Sequence, residues 1–278
     1  MDTTRRIAAH QSTTAQQTST RQLFNKVPEV TLYFWIIKIL ATTVGETIAD
    51  YLTATLGFSL NNASITVGAL LAAILIAQFR ANRYLAPTYW LAVVLISVAG
   101  TLITDNMVDD YGVSLWTTTA IFSVALAATF AIWYATERTL SIHAVTTHRR
   151  EAFYWTAILF TFALGTAAGD LLAESVGLGF ATSALVFAAA IAAIAVAHLK
   201  FGLNAVLAFW LAYILTRPLG ASIGDLLSQA PADGGLGFGT TATSGLFLAA
   251  IAGTVAYLAI TKRDVETAQP DKHLEPAA

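Results

Sequence analysis

From residue 29 to residue 262 the chain is a succession of long apolar runs separated by short polar or glycine-bearing breaks. Roughly 20 mainly apolar residues in a helix cover the roughly 30 Å of bilayer hydrocarbon. On that measure the pattern predicts eight spans, near residues 30–55, 63–81, 87–108, 115–137, 152–176, 180–199, 203–229 and 240–261. The breaks after odd-numbered spans, Gly57–Asn62, Asp109–Ser114, Gly177–Gly179 and Pro231–Gly239, hold no Lys or Arg. Arg80, Arg83, Arg138, Arg149, Arg150, Lys200, Lys262 and Arg263 all follow even-numbered spans. The positive-inside rule therefore predicts a multi-pass protein of the inner (plasma) membrane with both termini cytoplasmic.

A second pattern lies inside the odd spans. A tryptophan is followed by a glycine ten residues on and an aspartate five residues later, four times without a gap: Trp35–Gly45–Asp50, Trp90–Gly100–Asp105, Trp155–Gly165–Asp170 and Trp210–Gly220–Asp225. The tryptophans stand 55, 65 and 55 residues apart, so two halves are related by a 120-residue shift. This predicts an all-α integral membrane protein of eight transmembrane helices built from four tandem two-helix repeats. The divisions are a disordered cytoplasmic tail at 1–28, a first half at 29–145, a second half at 146–262 and a cytoplasmic tail at 263–278. Two spans per repeat make every repeat enter the membrane in the same direction. The pseudo-symmetry axis then runs along the membrane normal, unlike that of inverted-repeat transporters.

Several stretches add to this pattern: Lys26–Val27–Pro28–Glu29–Val30, Thr139–Leu140–Ser141–Ile142–His143, Gly165–Thr166–Ala167–Ala168–Gly169–Asp170 and Arg217–Pro218–Leu219–Gly220–Ala221. With them the chain resembles a bacterial integral membrane family known only as a four-fold tandem repeat of unknown function, with two spans and a tryptophan per repeat. The resemblance implies the eight-span topology and supplies no activity. Ala49–Asp50 and Thr104–Asp105 stand where that family has Gly–Asp.

Composition narrows the chemistry. The 278 residues are 56% hydrophobic and 12% charged, with a formal charge of −2, which gives nucleic acid no purchase. Without cysteine there are no disulfides, thiolate metal sites or cysteine nucleophiles. The five histidines lie in the tails or near span ends, which argues against an imidazole-rich metal site. No cofactor is expected beyond a bound or transported cation, and the other partner is the lipid bilayer.

Ionisable residues in a span cost roughly 2.5–3.5 kcal/mol each at a helix centre, so those present need a reason. Each aspartate lies fifteen residues beyond its tryptophan, near a helix carboxyl end where the dipole disfavours negative charge. Glu46 precedes Asp50 by four residues, and Asp109 and Glu174 follow Asp105 and Asp170 by four, which puts each pair on one helical face. Gln229 holds the corresponding place in the fourth repeat, and Thr42, Thr47, Thr101 and Thr166 add hydroxyls. If the odd helices converge, Glu46, Asp50, Asp105, Asp109, Asp170, Glu174 and Asp225 line one cavity of hard oxygen ligands. Such ligands suit Mn, Mg, Ca or protons, with Glu46, Asp50, Asp170 and Glu174 as the expected metal set. Lys38 and Arg217 are the expected charge-compensating residues. Gly45, Gly100, Gly165 and Gly220 read as packing positions that let helices approach closely.

These features point to a non-enzymatic membrane transporter of a small hard cation, foremost a divalent metal exporter conferring metal resistance and exchanging the ion for protons. The alternatives are an intramembrane enzyme using a carboxylate acid/base pair on a lipid-linked substrate, and a membrane assembly or sensor protein. A local reading of the aspartates competes with all of these: each could cap the helix that follows it.

Overall fold

A computed structural model of the chain describes residues 25–265. Its frame is eight long helices: α1 Leu32–Asp50, α2 Leu60–Arg80, α3 Ala86–Asp105, α4 Leu115–Glu137, α5 His148–Asp170, α6 Gly179–Phe201, α7 Ala205–Ser228 and α8 Thr240–Thr261. All eight are long and apolar enough to cross a membrane, and no strand occurs among the described residues. The chain is a multi-pass, all-α membrane protein.

Local chemistry sets the helix ends. Thr31, Ser59, Ser114 and Thr147 each accept a hydrogen bond from a first-turn amide, of Phe34, Asn62, Thr117 and Arg150 respectively. That satisfies donors which have no partner inside the helix. At the basic end α4, α6 and α8 stop at left-handed residues, Arg138, Gly202 and Lys262. Two of these three are basic, which suits the negative end of a helix dipole.

The tertiary arrangement is a ring within a ring. The four odd helices pack in a closed circuit, α1 on α3, α3 on α5, α5 on α7 and α7 on α1. Each even helix lies outside, against the odd helix of the next repeat: α2 on α3, α4 on α5, α6 on α7, and α8 back on α1. Burial follows this order, at 56–61% for the odd spans and 17–28% for the even ones. The even helices therefore face lipid. Their apolar residues are not a second core but a solvent match for hydrocarbon, as bilayer insertion demands.

The repeated glycines explain how the inner ring closes. A Cβ at Gly45 would collide with Ser97, at Gly100 with Phe162, at Gly165 with Arg217 and at Gly220 with Thr42, each nearer than 3.0 Å. All four intruders stand seven residues after their own tryptophan. Each odd helix thus offers its glycine to the same position of the next repeat, and the circuit closes from α7 to α1. Thr42 Oγ1 donates to the Thr216 carbonyl (3.2 Å) and Thr104 Oγ1 to that of Ala163 (3.0 Å), adding polar links across two of the seams.

The tryptophans pack between repeats. Trp90, Trp155 and Trp210 are buried, and with Phe34, Tyr89, Tyr154 and Tyr213 they form a continuous aromatic layer toward the basic end. One boundary expected from sequence needs correction. The sequence pattern puts the polar tail at 1–28, but Lys26 and Val27 are buried, with Lys26 Nζ 2.7 Å from Glu151 and 3.1 Å from the Phe79 carbonyl. At the other end, Asp264 is buried and receives the Tyr84 hydroxyl at 2.6 Å. Buried pairing outweighs local polarity at both places. The rest of the two expected tails, 1–24 and 266–278, lies outside the described residues.

Candidate functional site

Ring closure brings the repeat's acids together. One cavity of about 610 Å³ opens at the end opposite the basic residues and is lined by Glu46, Asp50, Asp105, Asp109, Asp170, Glu174 and Asp225. All seven acids singled out from sequence therefore share one chamber. Gln229 and Thr104 line it too, as does Asp233 from the short 3-10 turn Pro231–Asp233 after α7.

The carboxylates form a funnel. Asp109 and Glu174 are exposed at the mouth, Asp50, Asp105 and Asp170 are half-buried, and Asp225 and Glu46 are buried. Position in the repeat sets the depth. Asp109 and Glu174 stand nineteen residues after their tryptophans, the four aspartates fifteen and Glu46 eleven, a turn apart each time.

None of the aspartates serves as a cap for the following helix. Ser59 and Ser114 do that for α2 and α4, and no backbone amide bonds to the four aspartates among the described residues. The one hydrogen bond to this set comes from Gln229 Nε2, which reaches Asp50 Oδ2 at 3.0 Å. These acids face open space, and a local capping role does not account for them.

A feature of the backbone sets three repeats apart. Directly after the aspartate, α1, α3 and α5 widen into π-helical turns, Tyr51–Thr55, Asn106–Asp110 and Leu171–Ser175. Such turns are rare and concentrate at functional sites. They carry Asp109 and Glu174, so the extra residue per turn helps to set the mouth of the cavity. The fourth repeat stays α-helical to Ser228.

Behind Glu46, the deepest acid of the cavity wall, lies Arg217. Its side chain is 0% exposed. Nη2 lies 2.9 Å from Glu46 Oε2 and 2.7 Å from Thr166 Oγ1, and forms a short bond to the Thr101 hydroxyl. Nη1 reaches the Thr42 carbonyl at 3.4 Å. Glu46, Thr101 and Thr166 occupy the same place in repeats one, two and three, eleven residues after the tryptophan; the fourth place is Ala221. One guanidinium from the fourth repeat thus ties together the other three across the ring. Arg217 neutralises Glu46, three repeats' worth of sequence away, rather than Asp225 on its own helix.

The remaining residues fall as follows. Thr47 accepts from Ser244 of α8 (2.7 Å), outside the ring axis. Among the described residues Lys38 meets no carboxylate: its Nζ lies over the rings of Tyr213 and Phe162, at 4.0 and 4.3 Å from their centroids. The four acids expected to ligate a metal do not form a chelating group among the described residues. The physical reason is at hand. Arg217 draws Glu46 to the floor, and like charges at the mouth hold the other acids apart.

The fold and this cavity define a class: a polytopic helical-ring membrane protein with an acid-lined chamber on its pseudo-fourfold axis. More narrowly, the chain belongs to the family described as Repeat of Unknown Function (DUF347), whose repeat matches residues 33–84, 88–139, 153–202 and 208–264. No curated protein and no solved structure matched the chain.

Proposed function

We propose that the protein transports a small hard cation across the inner membrane, with divalent metals of the Mn, Mg and Ca class as the foremost substrates and export as the direction. One observation carries this reading: seven carboxylates converge on a single cavity, and the deepest of them, Glu46, is paired with a buried cation. A funnel of one sign concentrates ions of the other. Its oxygens are the ligands that hard divalent ions prefer. Arg217 occupies the place below the funnel as a tethered internal cation. An ion that reaches Glu46 competes with the guanidinium for the same carboxylate, and displacing Arg217 opens the axis. The acids then close on the ion, since its charge removes the repulsion that holds them apart.

The test is uptake of manganese, magnesium or calcium by liposomes holding the purified protein, read with an ion-sensitive dye. Expected is flux that falls about 100-fold in Glu46→Gln and clearly in Asp50→Asn, because each removes a charge that faces the ion. Absence of flux with all three ions would sink the proposal.

Orientation is proposed with the acidic mouth outside and the basic face in the cytoplasm. The chain has no cysteine, so single substitutions report cleanly. In intact cells an impermeant thiol reagent should label Gly112→Cys and spare Arg83→Cys. The reverse pattern would invert the topology.

A further inference from the structure

The connection from α4 to α5, residues 138–147, is longer than its counterparts at the basic end, 81–85 and 202–204. It accounts for the wider middle spacing of the tryptophans, and cation binding at the acidic end makes no use of it. The stretch is nonetheless fastened. Ile142 and Val145 are buried, Trp210 Nε1 donates to the Leu140 carbonyl at 2.9 Å, and Arg150 Nη1 to that of Ala144 at 3.0 Å. So held, Leu140–His143 forms one wall of an apolar groove of about 510 Å³. A second wall is a single face of α6, which contributes Ile191, Ile194, Ala195, His198 and Leu199. The start of α7 supplies the third, from Ala205 to Ala212, and Val30 and Trp35 complete the groove. Trp90, Trp155 and Trp210 are buried, whereas Trp35 is half-buried against this space.

Ile191 to Leu199 is about 12 Å of helix, most of the roughly 15 Å that one leaflet's hydrocarbon occupies. The groove therefore runs at hydrocarbon depth in the leaflet at the basic end, and its mouth lies at the headgroups. Its polar lining side chains, Ser141, His143 and His198, all stand at that mouth. His198 Nδ1 donates to the Leu203 carbonyl at 2.7 Å and His143 Nδ1 lies 3.5 Å from Glu29 Oε1, which fixes both rings. Among the described residues no carboxylate lines the groove. The positive end of the α7 dipole begins there, and Arg138 and Lys200 stand two residues from Leu140 and His198. The bilayer core has no water to fill such a hollow, and an empty one forfeits the contacts of its lining. Residues 1–24, rich in Thr and Gln, offer no apolar run to cover it. Hydrocarbon chains are the solvent on its open side, and a negative headgroup complements its mouth.

We propose that this groove binds an anionic phospholipid, with an acyl chain between α6, α7 and Trp35 and the phosphate at Ser141, His143 and His198. The Ser141 hydroxyl donates to a phosphate oxygen, and the basic surroundings favour a headgroup of net negative charge. The chain leaves hydrocarbon for hydrocarbon, so it gains close packing against a preformed wall and no hydrophobic free energy. Trp35 on α1 and Phe209 on α7, with ring centroids 5.8 Å apart, both line the groove. The bound lipid thus seals the basic end of the α7–α1 seam, the one that closes the ring. The site is separate from the acidic cavity and stands whether or not the protein carries a cation.

The experiment titrates the full chain in detergent micelles with phosphatidylglycerol brominated on its acyl chains, since bromine quenches nearby tryptophan. Quenching should saturate at a low lipid fraction in the wild type, and the saturable part should vanish in Trp35→Phe, which removes the reporter on the groove wall. Ala195→Phe fills the groove from an exposed position of α6 and should weaken binding about tenfold, the scale of one overpacked contact. The brominated choline lipid should bind about fivefold more weakly, the scale of one basic group at a membrane surface. Should Ala195→Phe not fold, native mass spectrometry of the wild type decides: a retained phosphatidylglycerol supports the site, and none retained overturns it. Saturable quenching that persists in Trp35→Phe, or undiminished binding by Ala195→Phe, also overturns it. Equal affinity for the two headgroups overturns the anionic assignment. A dimer in solution that Ala195→Phe splits would make the groove a contact between copies, and the lipid site would fall.

Discussion

Arg217→Ala is expected to lower the stability of the protein in detergent by about 3–5 kcal/mol, the cost of removing one partner from a buried ion pair. The guanidinium satisfies Glu46, Thr101 and Thr166 together, all within the core of the ring. Without it Glu46 is a buried carboxylate at the end of a helix ring with no cation near. Thermal unfolding followed by circular dichroism measures the loss. Arg217→Ala with Glu46→Ala should recover most of it, because the uncompensated charge is then gone. Arg217→Lys should fall between, since an ammonium is a point charge and lacks the planar fork that reaches three acceptors. A double variant as unstable as Arg217→Ala alone would show that the pair is not what holds the three repeats together.

Gly220→Ala should be nearly as damaging, by about 1–3 kcal/mol, through overpacking. Its Cβ would fall on the Thr42 side chain and within 2.9 Å of the Thr43 backbone nitrogen, and backbone cannot step aside. This seam joins α7 to α1 and so closes the ring. The wedge should therefore also weaken the Arg217–Glu46 pair, which spans the same seam. Gly253→Ala on α8 is the matched control, with nothing within 4 Å of the added carbon. It should be neutral or stabilising by about 0.5–1 kcal/mol, because alanine favours a helix. Melting temperatures of the two variants against wild type give the answer, and equal shifts would refute close approach at Gly220.

Much of the fold was legible because a bilayer leaves few choices. Apolar length fixed where spans occur, and with the π-helical turns after α1, α3 and α5 counted in, the expected limits agree with the helices to within four residues; the largest gap is at the start of α5, 152 expected against 148 found. The repeat register alone places the four aspartates at one depth. Four tandem repeats with two spans each also implied odd helices gathered about one axis. The acids' shared cavity follows from these three facts.

Other parts had no sequence signal. The π-helical turns after Asp50, Asp105 and Asp170 shift hydrogen bonds by one residue, which composition does not register. Lys38 and Arg217 read alike as basic residues in a span, yet one rests between aromatic rings and the other pairs with an acid. The difference is depth: Lys38 stands three residues after its tryptophan and Arg217 seven, one turn nearer the acids. Asp233 looked like part of a loop and lies at the cavity wall. Lys26 looked like tail and is buried against Glu151.

The amino-acid sequence alone settles that this is an eight-span membrane protein of four co-directional repeats with four equivalent acids. Hydrocarbon solvent and periodicity enforce those features one helix at a time. Tertiary structure alone decides which helix seats against which, that the ring closes from α7 to α1, and that Arg217 finds Glu46. Those outcomes depend on contacts between residues 171 positions apart, and no local pattern records a contact that exists only once the ring is shut.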